Sequence, residues 1–302
     1  MNKQKRLVNF LLLSILILAF VLRLYKIDIP LADHHSWRQA DTAAVARNFI
    51  KEGWVFWQPK IDNMTYLQSP LIPKTKLNTS RFFLVEPPIY QTFVAIFYRI
   101  FGVKEAWARL TSIFFSLGSI IFLYLIVKDF LNQKTALWTA FFFAVLPYSV
   151  YYSRVILPEP LMIFLTLGFI YFFSKWLLFK NNRFWLATII FGGMALTQKI
   201  FPVFLALPLS YLLLKTNSFF ALIKKPRLWF MLFLIILPLF VWRIWIINFP
   251  EGIPGSSWLF NQGNIRFKGA FFWWIFAQRI GGLILGYWGL FLLGLGIILQ
   301  PG

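Results

Sequence analysis

The chain has 302 residues, 59% hydrophobic and 21% aromatic, and only 13% charged. Soluble domains carry about 25% charged residues, so a water-soluble globule is excluded and a polytopic membrane protein is implied. The 30 Lys and Arg against 10 Asp and Glu give a charge of +20. These basic residues sit between apolar runs rather than on one soluble face, which points to anionic lipid and phosphate groups as partners and not to nucleic acid. With no cysteine, disulfides, thiolate metal sites and cysteine nucleophiles are ruled out.

Met1 to Arg6 followed by an apolar run has the outline of a signal peptide, yet Leu7 to Tyr25 is long enough to span and no small-residue cleavage site follows. It reads as a retained first span. Residues 26–105 never sustain the roughly 20 apolar residues a crossing needs, and are expected to form one long outer loop. Within it, Ser36 and Gln39 have the spacing of a capping box. A surface helix is therefore expected from Ser36 to Glu52, stopped by Gly53, with Trp37, Ala40, Ala44, Val45 and Phe49 on its membrane-facing side. A turn-rich stretch from Pro59 to Arg81 follows, then Val85 to Tyr90 and a short apolar helix to Phe101, either a hairpin or a second surface helix.

If residues 89–101 do not cross, further spans fall near 106–127, 135–152, 160–179, 184–198, 200–214, 228–247 and 283–299, eight in all. Every other short connection is then basic. Lys128 and Lys134, then Lys175, Lys180 and Arg183, then Lys215, Lys224, Lys225 and Arg227 share the side of Lys3, Lys5 and Arg6. The positive-inside rule makes that side cytoplasmic. The expected fold is an all-α, polytopic transmembrane helical bundle of about eight spans, one domain over residues 1–302, with amphipathic surface helices in the first outer loop. The chain ends directly off an apolar run at Gly302, as expected of a fragment of a longer protein.

Nine of the ten carboxylates then lie on the outer side, leaving Asp129 inside and none in mid-span. Ion-coupled transporters usually place an acid near the midplane, so the pattern argues for chemistry at the outer interface. No P-loop or glycine-rich nucleotide signature occurs. Asp33, just before the surface helix, is where a helix N-terminus favours an ionised carboxylate or a bound phosphate oxygen. It is the leading candidate for a general base, against the reading of a solvated loop acid. Arg38 and Asp41, three apart, either pair with each other or leave Arg38 to bind phosphate. Of the adjacent His34 and His35, at most one is expected to contribute. Glu86 precedes Pro87-Pro88, which stiffen the backbone, and Glu159 lies at the mouth of a span; both also suit a helix start. Lys199 can snorkel to headgroups or hold a substrate phosphate.

At these residues the chain resembles the GT-C glycosyltransferases, in particular the group holding protein O-mannosyltransferases, lipid A aminoarabinose transferases and rhizobial lipopolysaccharide glycosyltransferases. The resemblance implies that Asp33 is the catalytic base, with Glu86 and Glu159 as further acids. Pro87-Pro88 match that group's Pro-Pro motif, Arg154 and Glu159 its arginine-to-acid run, and Thr197 and Lys199, loosely, a Thr-x-Lys element. Trp37 to Asp41 resembles bacterial members. The sequence departs where relatives have Asp-Glu in place of Asp33-His34, and often Asp in place of Glu159. What the resemblance implies is an inverting plasma-membrane glycosyltransferase with its active site extracytoplasmic, taking a polyprenyl-phosphate-linked sugar and a lipid, glycan or protein acceptor. His34, Trp37, Arg38, Asp41, Arg154 and Lys199 would bind substrate. It implies no definite cofactor and leaves open a divalent metal on Asp33, Glu86 or Glu159. The rival reading is a carrier or flippase of lipid-linked sugars without chemistry.

Overall fold

The protein is known from a computed structural model that describes residues 3–64, 78–216, 220, 223–254 and 261–299. Among these, regular structure is helical apart from one isolated antiparallel bridge between Lys60 and Phe82. The helices are α1 (Lys3–Arg23), α2 (Ser36–Lys51), α3 (Ile89–Phe101), α4 (Glu105–Phe130), α5 (Gln133–Val145), α6 (Pro147–Tyr152), α7 (Glu159–Phe179) and α8 (Asn182–Gln198). A 3-10 turn, Phe201–Leu205, leads into α9 (Ala206–Thr216), followed by α10 (Pro226–Ile246). Then α11 (Gly269–Trp273) runs into a π-helical stretch, Trp274–Leu285, and α12 (Gly286–Ile298).

Helix stands at every expected span, but length divides them. Only α1, α4, α7 and α10 are long and apolar enough to cross a membrane by themselves, and the pair Gly269–Leu285 and Trp288–Ile298, bent by 103°, would make a fifth crossing. The expected span 135–152 is broken where Pro147 opens α6, because proline cannot donate to the preceding turn. At 1.5 Å per residue the 17-residue α8 covers about 25 Å and the 11-residue α9 about 17 Å, against a hydrocarbon core of about 30 Å. Length and composition alone thus qualify four or five helices among the described residues as single crossings, and the count of eight is not established by them.

Lipid gives no hydrophobic drive for helix to meet helix, so close fit must hold them. On α5, Ala136, Ala140 and Ala144 recur every four residues with 0% exposure, and they bring that helix against α1 and α4. Gly118 on α4 makes room for a ring of α7: a Cβ there would stand 2.5 Å from Phe164. Arg23, fully buried at the end of α1, fastens the same region. Its Nε donates to Ser153 Oγ at 2.8 Å, and its Nη1 to the carbonyls of Ala19 and Ala144, each at 2.9 Å.

The loop between α1 and α4 is folded onto one end of the bundle. In α2 the five residues expected on one membrane-facing side divide: Ala44, Val45 and Phe49 are buried in the protein, while Trp37 is 66% exposed and Ala40 is exposed too. The buried side carries Gln39, Thr42, Ala43, Ala46 and Phe49, and its apolar members pack with Tyr90, Val94, Ala95 and Tyr98 of α3. Small residues let α2 approach α3 closely, whereas the bulk of Trp37 stays outside. Tyr90 links the layer beneath through its hydroxyl, 3.1 Å from the Ala108 carbonyl and 2.7 Å from Ser112 Oγ. Of the turn-rich stretch, residues 65–77 lie outside the described residues. Its two flanks meet where Ile61 N donates to Arg81 O at 2.9 Å and Phe83 N to Pro59 O at 2.8 Å.

Candidate active site

The site begins with how α2 starts. His35 is the N-cap residue, in the left-handed conformation at φ 61° and ψ 31°, and no side chain caps the helix. The expected capping box is therefore absent. His35 O takes the first backbone bonds, from the N–H groups of Arg38 and Gln39 at 3.0 Å each. Gln39, released from capping, is fully buried and turned toward the preceding loop. Its Nε2 donates to Asp33 Oδ1 at 2.7 Å and to His34 O at 3.0 Å, while its Oε1 accepts from Ile156 N at 3.0 Å.

Two arginines from distant parts of the chain hold the segment leading to Asp33. Arg109 of α4 donates Nη1 to Ile27 O at 2.9 Å and Ile29 O at 2.5 Å. Arg154 donates Nη1 to Tyr25 O at 2.5 Å and Lys26 O at 3.2 Å. Arg154, expected to bind substrate, is buried with its Nη1 clamping the backbone just beyond α1. From α6, Tyr151 donates its hydroxyl to His34 O at 3.4 Å, and the Tyr152 hydroxyl lies 3.2 Å from His34 Nδ1.

Beside this lies a run of alternating charge. Arg38 does not pair with Asp41. Its Nη2 forms a short ion pair with Glu86 Oε1, and its guanidinium lies over the Phe83 ring, 4.5 Å from the centroid. Lys199, just past α8, has Nζ 3.0 Å from Glu159 Oε1 and 3.9 Å from Glu86 Oε2. Glu86 is buried and lies ahead of α3, whose N-cap is Pro88, so it serves the ion pair and not a helix start. Asp41 stands apart: burial raises its pKa, the Arg38 charge opposes this and the Asp62 charge adds to it. Trp37, two-thirds exposed, joins none of these contacts.

A cleft of about 300 Å³ opens next to the charges, with His35, Ser116, Tyr148, Tyr152, Glu159 and Met162 among its walls. Burial and the neighbouring His34 charge lower the pKa of His35; Glu159 pulls it up and Arg279 adds to the lowering. Among the described residues no group of three or more His, Asp or Glu is placed to hold a metal ion.

The family model described as dolichyl-phosphate-mannose-protein mannosyltransferase matches residues 85–245, just over half of the chain. The chain belongs to that family. No curated protein matches it. Among solved structures, its fold is similar to that of ArnT from Cupriavidus metallidurans bound to undecaprenyl phosphate, at 13% identity and a TM-score of 0.58, covering 81% of this chain and 42% of that one. The same protein in the apo state aligns at 14% identity and a TM-score of 0.57, covering 83% of this chain and 44% of that one. The chain thus spans less than half the length of these structures.

The range matched to the mannosyltransferase family takes in Glu86, Arg154, Glu159 and Lys199 and leaves out Asp33 and all of α2. Tertiary contacts tie the two parts together: Gln39 bonds Asp33 to Ile156, and Arg38 bonds α2 to Glu86. Chemically, the assembly offers a half-buried carboxylate held by Gln39 and, in the charge run that Arg38 of the same helix joins, a partly exposed lysine whose present partners are carboxylates. An incoming phosphate can compete with Glu159 for that lysine. Sequence reasoning missed Gln39 in this setting, the buried Arg23 and Arg109, the tyrosines of α6, and Arg279, whose charge acts on His35 and Tyr152. A signal existed for Arg23 and Arg109, since a guanidinium in or at the end of an apolar helix requires a polar partner.

Proposed function

We propose that this protein is a membrane glycosyltransferase that moves a sugar from a polyprenyl-phosphate-linked donor to an acceptor hydroxyl of a lipid, glycan or protein. The reaction takes place on the extracytoplasmic face of the plasma membrane, with the N-terminus of the chain cytoplasmic. The family membership and the likeness to a fold that holds undecaprenyl phosphate in ArnT support the donor class. The observation that carries the reading is the Asp33 carboxylate, half-buried and anchored by Gln39, in the same loop-end layer as the Arg38–Glu86–Lys199–Glu159 run.

Asp33 takes the proton of the acceptor hydroxyl as its oxygen attacks the anomeric carbon. The bond from that carbon to the lipid phosphate oxygen breaks on the opposite side, so the anomeric configuration inverts. Lys199 exchanges its carboxylate partners for the departing phosphate and stabilises its growing charge. The basic connections on the side opposite Asp33 support the orientation.

Transfer of labelled sugar from a panel of polyprenyl-phosphate sugars to membranes is the test. Asp33→Asn should lower transfer by at least about 100-fold, the span of a general base, while the protein stays folded and inserted. Full activity in that variant sinks the mechanism. Wild-type protein that binds the donors and never transfers the sugar would make it a carrier.

A further inference from the structure

Resting on Asp33 as the base, we propose that Gln39 is the positioning residue of this reaction, the side chain that fixes where the base points. The argument is a complete hydrogen-bond account. A primary amide has two N–H donors and a carbonyl acceptor, and here both donors and the acceptor are used: Asp33 Oδ1 at 2.7 Å, His34 O at 3.0 Å and Ile156 N at 3.0 Å. The partners fix the orientation of the amide. Flipped, its oxygen would face the Asp33 carboxylate and the His34 carbonyl while its NH2 met the Ile156 N–H, and every contact would be repulsive.

Gln39 has 0% exposure, so water cannot stand in for any of these bonds. Its three partners come from the loop before α2 and from the turn before α7, which carries Glu159 two residues after Leu157. One side chain therefore sets the position of the acid relative to the Lys199–Glu159 end of the site. The other groups around Asp33 are Arg109 of α4, whose charge acts on it, the adjacent His34, and Tyr151 of α6, whose hydroxyl also hydrogen-bonds the Asp33 side chain. Of these partners only Gln39 also reaches the turn before α7, through Ile156 N.

The experiment compares pH profiles of sugar transfer for wild type, Gln39→Glu and Gln39→Met, with the same polyprenyl-phosphate sugar as donor. Gln39→Glu sets a carboxylate against Asp33 while keeping the acceptor for Ile156 N. The two acids then share a proton, and the acid limb of activity should move to higher pH by about one unit or more, with recovery toward alkaline pH. Gln39→Met keeps volume and helix propensity and removes the donors. It should lower kcat about 10-fold or more with donor KM nearly unchanged. If Gln39→Glu does not fold, the kcat of Gln39→Met decides.

A merely structural glutamine would scale activity down without moving the limb, and an unmoved limb in Gln39→Glu overturns the proposal. Asp33→Asn separates the two layers of the argument. If it abolishes transfer and Gln39→Glu leaves the limb in place, Asp33 remains the base and the positioning role is lost. If it retains transfer, the base itself is misassigned.

Discussion

Two sets of ion pairs at the same end of the molecule use the same chemistry to different effect. Arg38 and Glu86 keep 11% and 4% of their side chains exposed, whereas Arg47 and Asp62 keep 31% and 55%. The first pair joins α2 to a segment 48 residues away, and Lys199 extends it to α7 and α8. The second joins α2 to the residues just after it, as Glu52 does with Lys60 and Arg81. Burial, not the count of charges, separates a contact that ties distant segments together from one that decorates a surface. A buried partner left alone keeps a desolvated charge, while an exposed one returns to water.

The sharpest way to break this contrast is Arg38→Ala. It leaves the buried Glu86 carboxylate with Lys199 alone, at 3.9 Å, and should cost about 3 kcal/mol, read as a large drop in melting temperature of detergent-solubilised protein. Adding Glu86→Gln to the same chain should recover part of that loss. A melting temperature unchanged by Arg38→Ala would put both sets of pairs on one footing.

Lys199→Met tests the middle of the range. Glu86 keeps Arg38, and Glu159 is 41% exposed, so stability should change by about 1 kcal/mol or less. The donor KM should nevertheless rise about 10-fold, since a charge-assisted phosphate contact is gone. An unaltered KM would remove Lys199 from the phosphate site.

The smallest effect belongs to Arg47→Ala, at about 0–1 kcal/mol and fading in high salt. Its sign with pH is fixed. Burial alone would raise the pKa of Asp62, but hydrogen bonds from Asn48 and Arg47 and the Arg47 charge outweigh it, so the folded value lies below 3.8. The pair's contribution is present above the unfolded value and is lost as pH falls through the folded one. Wild type and variant should therefore differ slightly in stability at pH 7 and converge in strong acid. A difference that grows with acid would reverse the assignment.

What could be read from the sequence was local. The stop of α2 at Gly53, whose φ of +97° suits glycine, and the short helix ending at Phe101 follow from signals within a few residues, whereas α2 begins at Ser36 without the capping box expected there. The acids nominated there also converge: Glu86 and Glu159 meet on Lys199, and Asp33 is held in place close by. What could not be read were choices among competing local partners, decided by residues far along the chain. Arg38 had Asp41 one turn away and took Glu86. Gln39 had a cap position open to it and took Asp33 and Ile156. Arg154 was expected to bind substrate and serves carbonyls beyond α1. In each case a buried carboxylate or a frayed helix end needed a donor more than the nearer, better-solvated group did.

The clamps on the segment before Asp33 also set a timetable. Ile27 waits for Arg109, 82 residues later, Tyr25 for Arg154, 129 residues later, and Ile156 reaches Gln39 across 117 residues. A chain threaded into the membrane from its N-terminus presents the acid early and secures it late, when the turn before α7 arrives. Until then Gln39 lacks its Ile156 partner, and the orientation of the Asp33 carboxylate is completed only by one of the later segments of the chain.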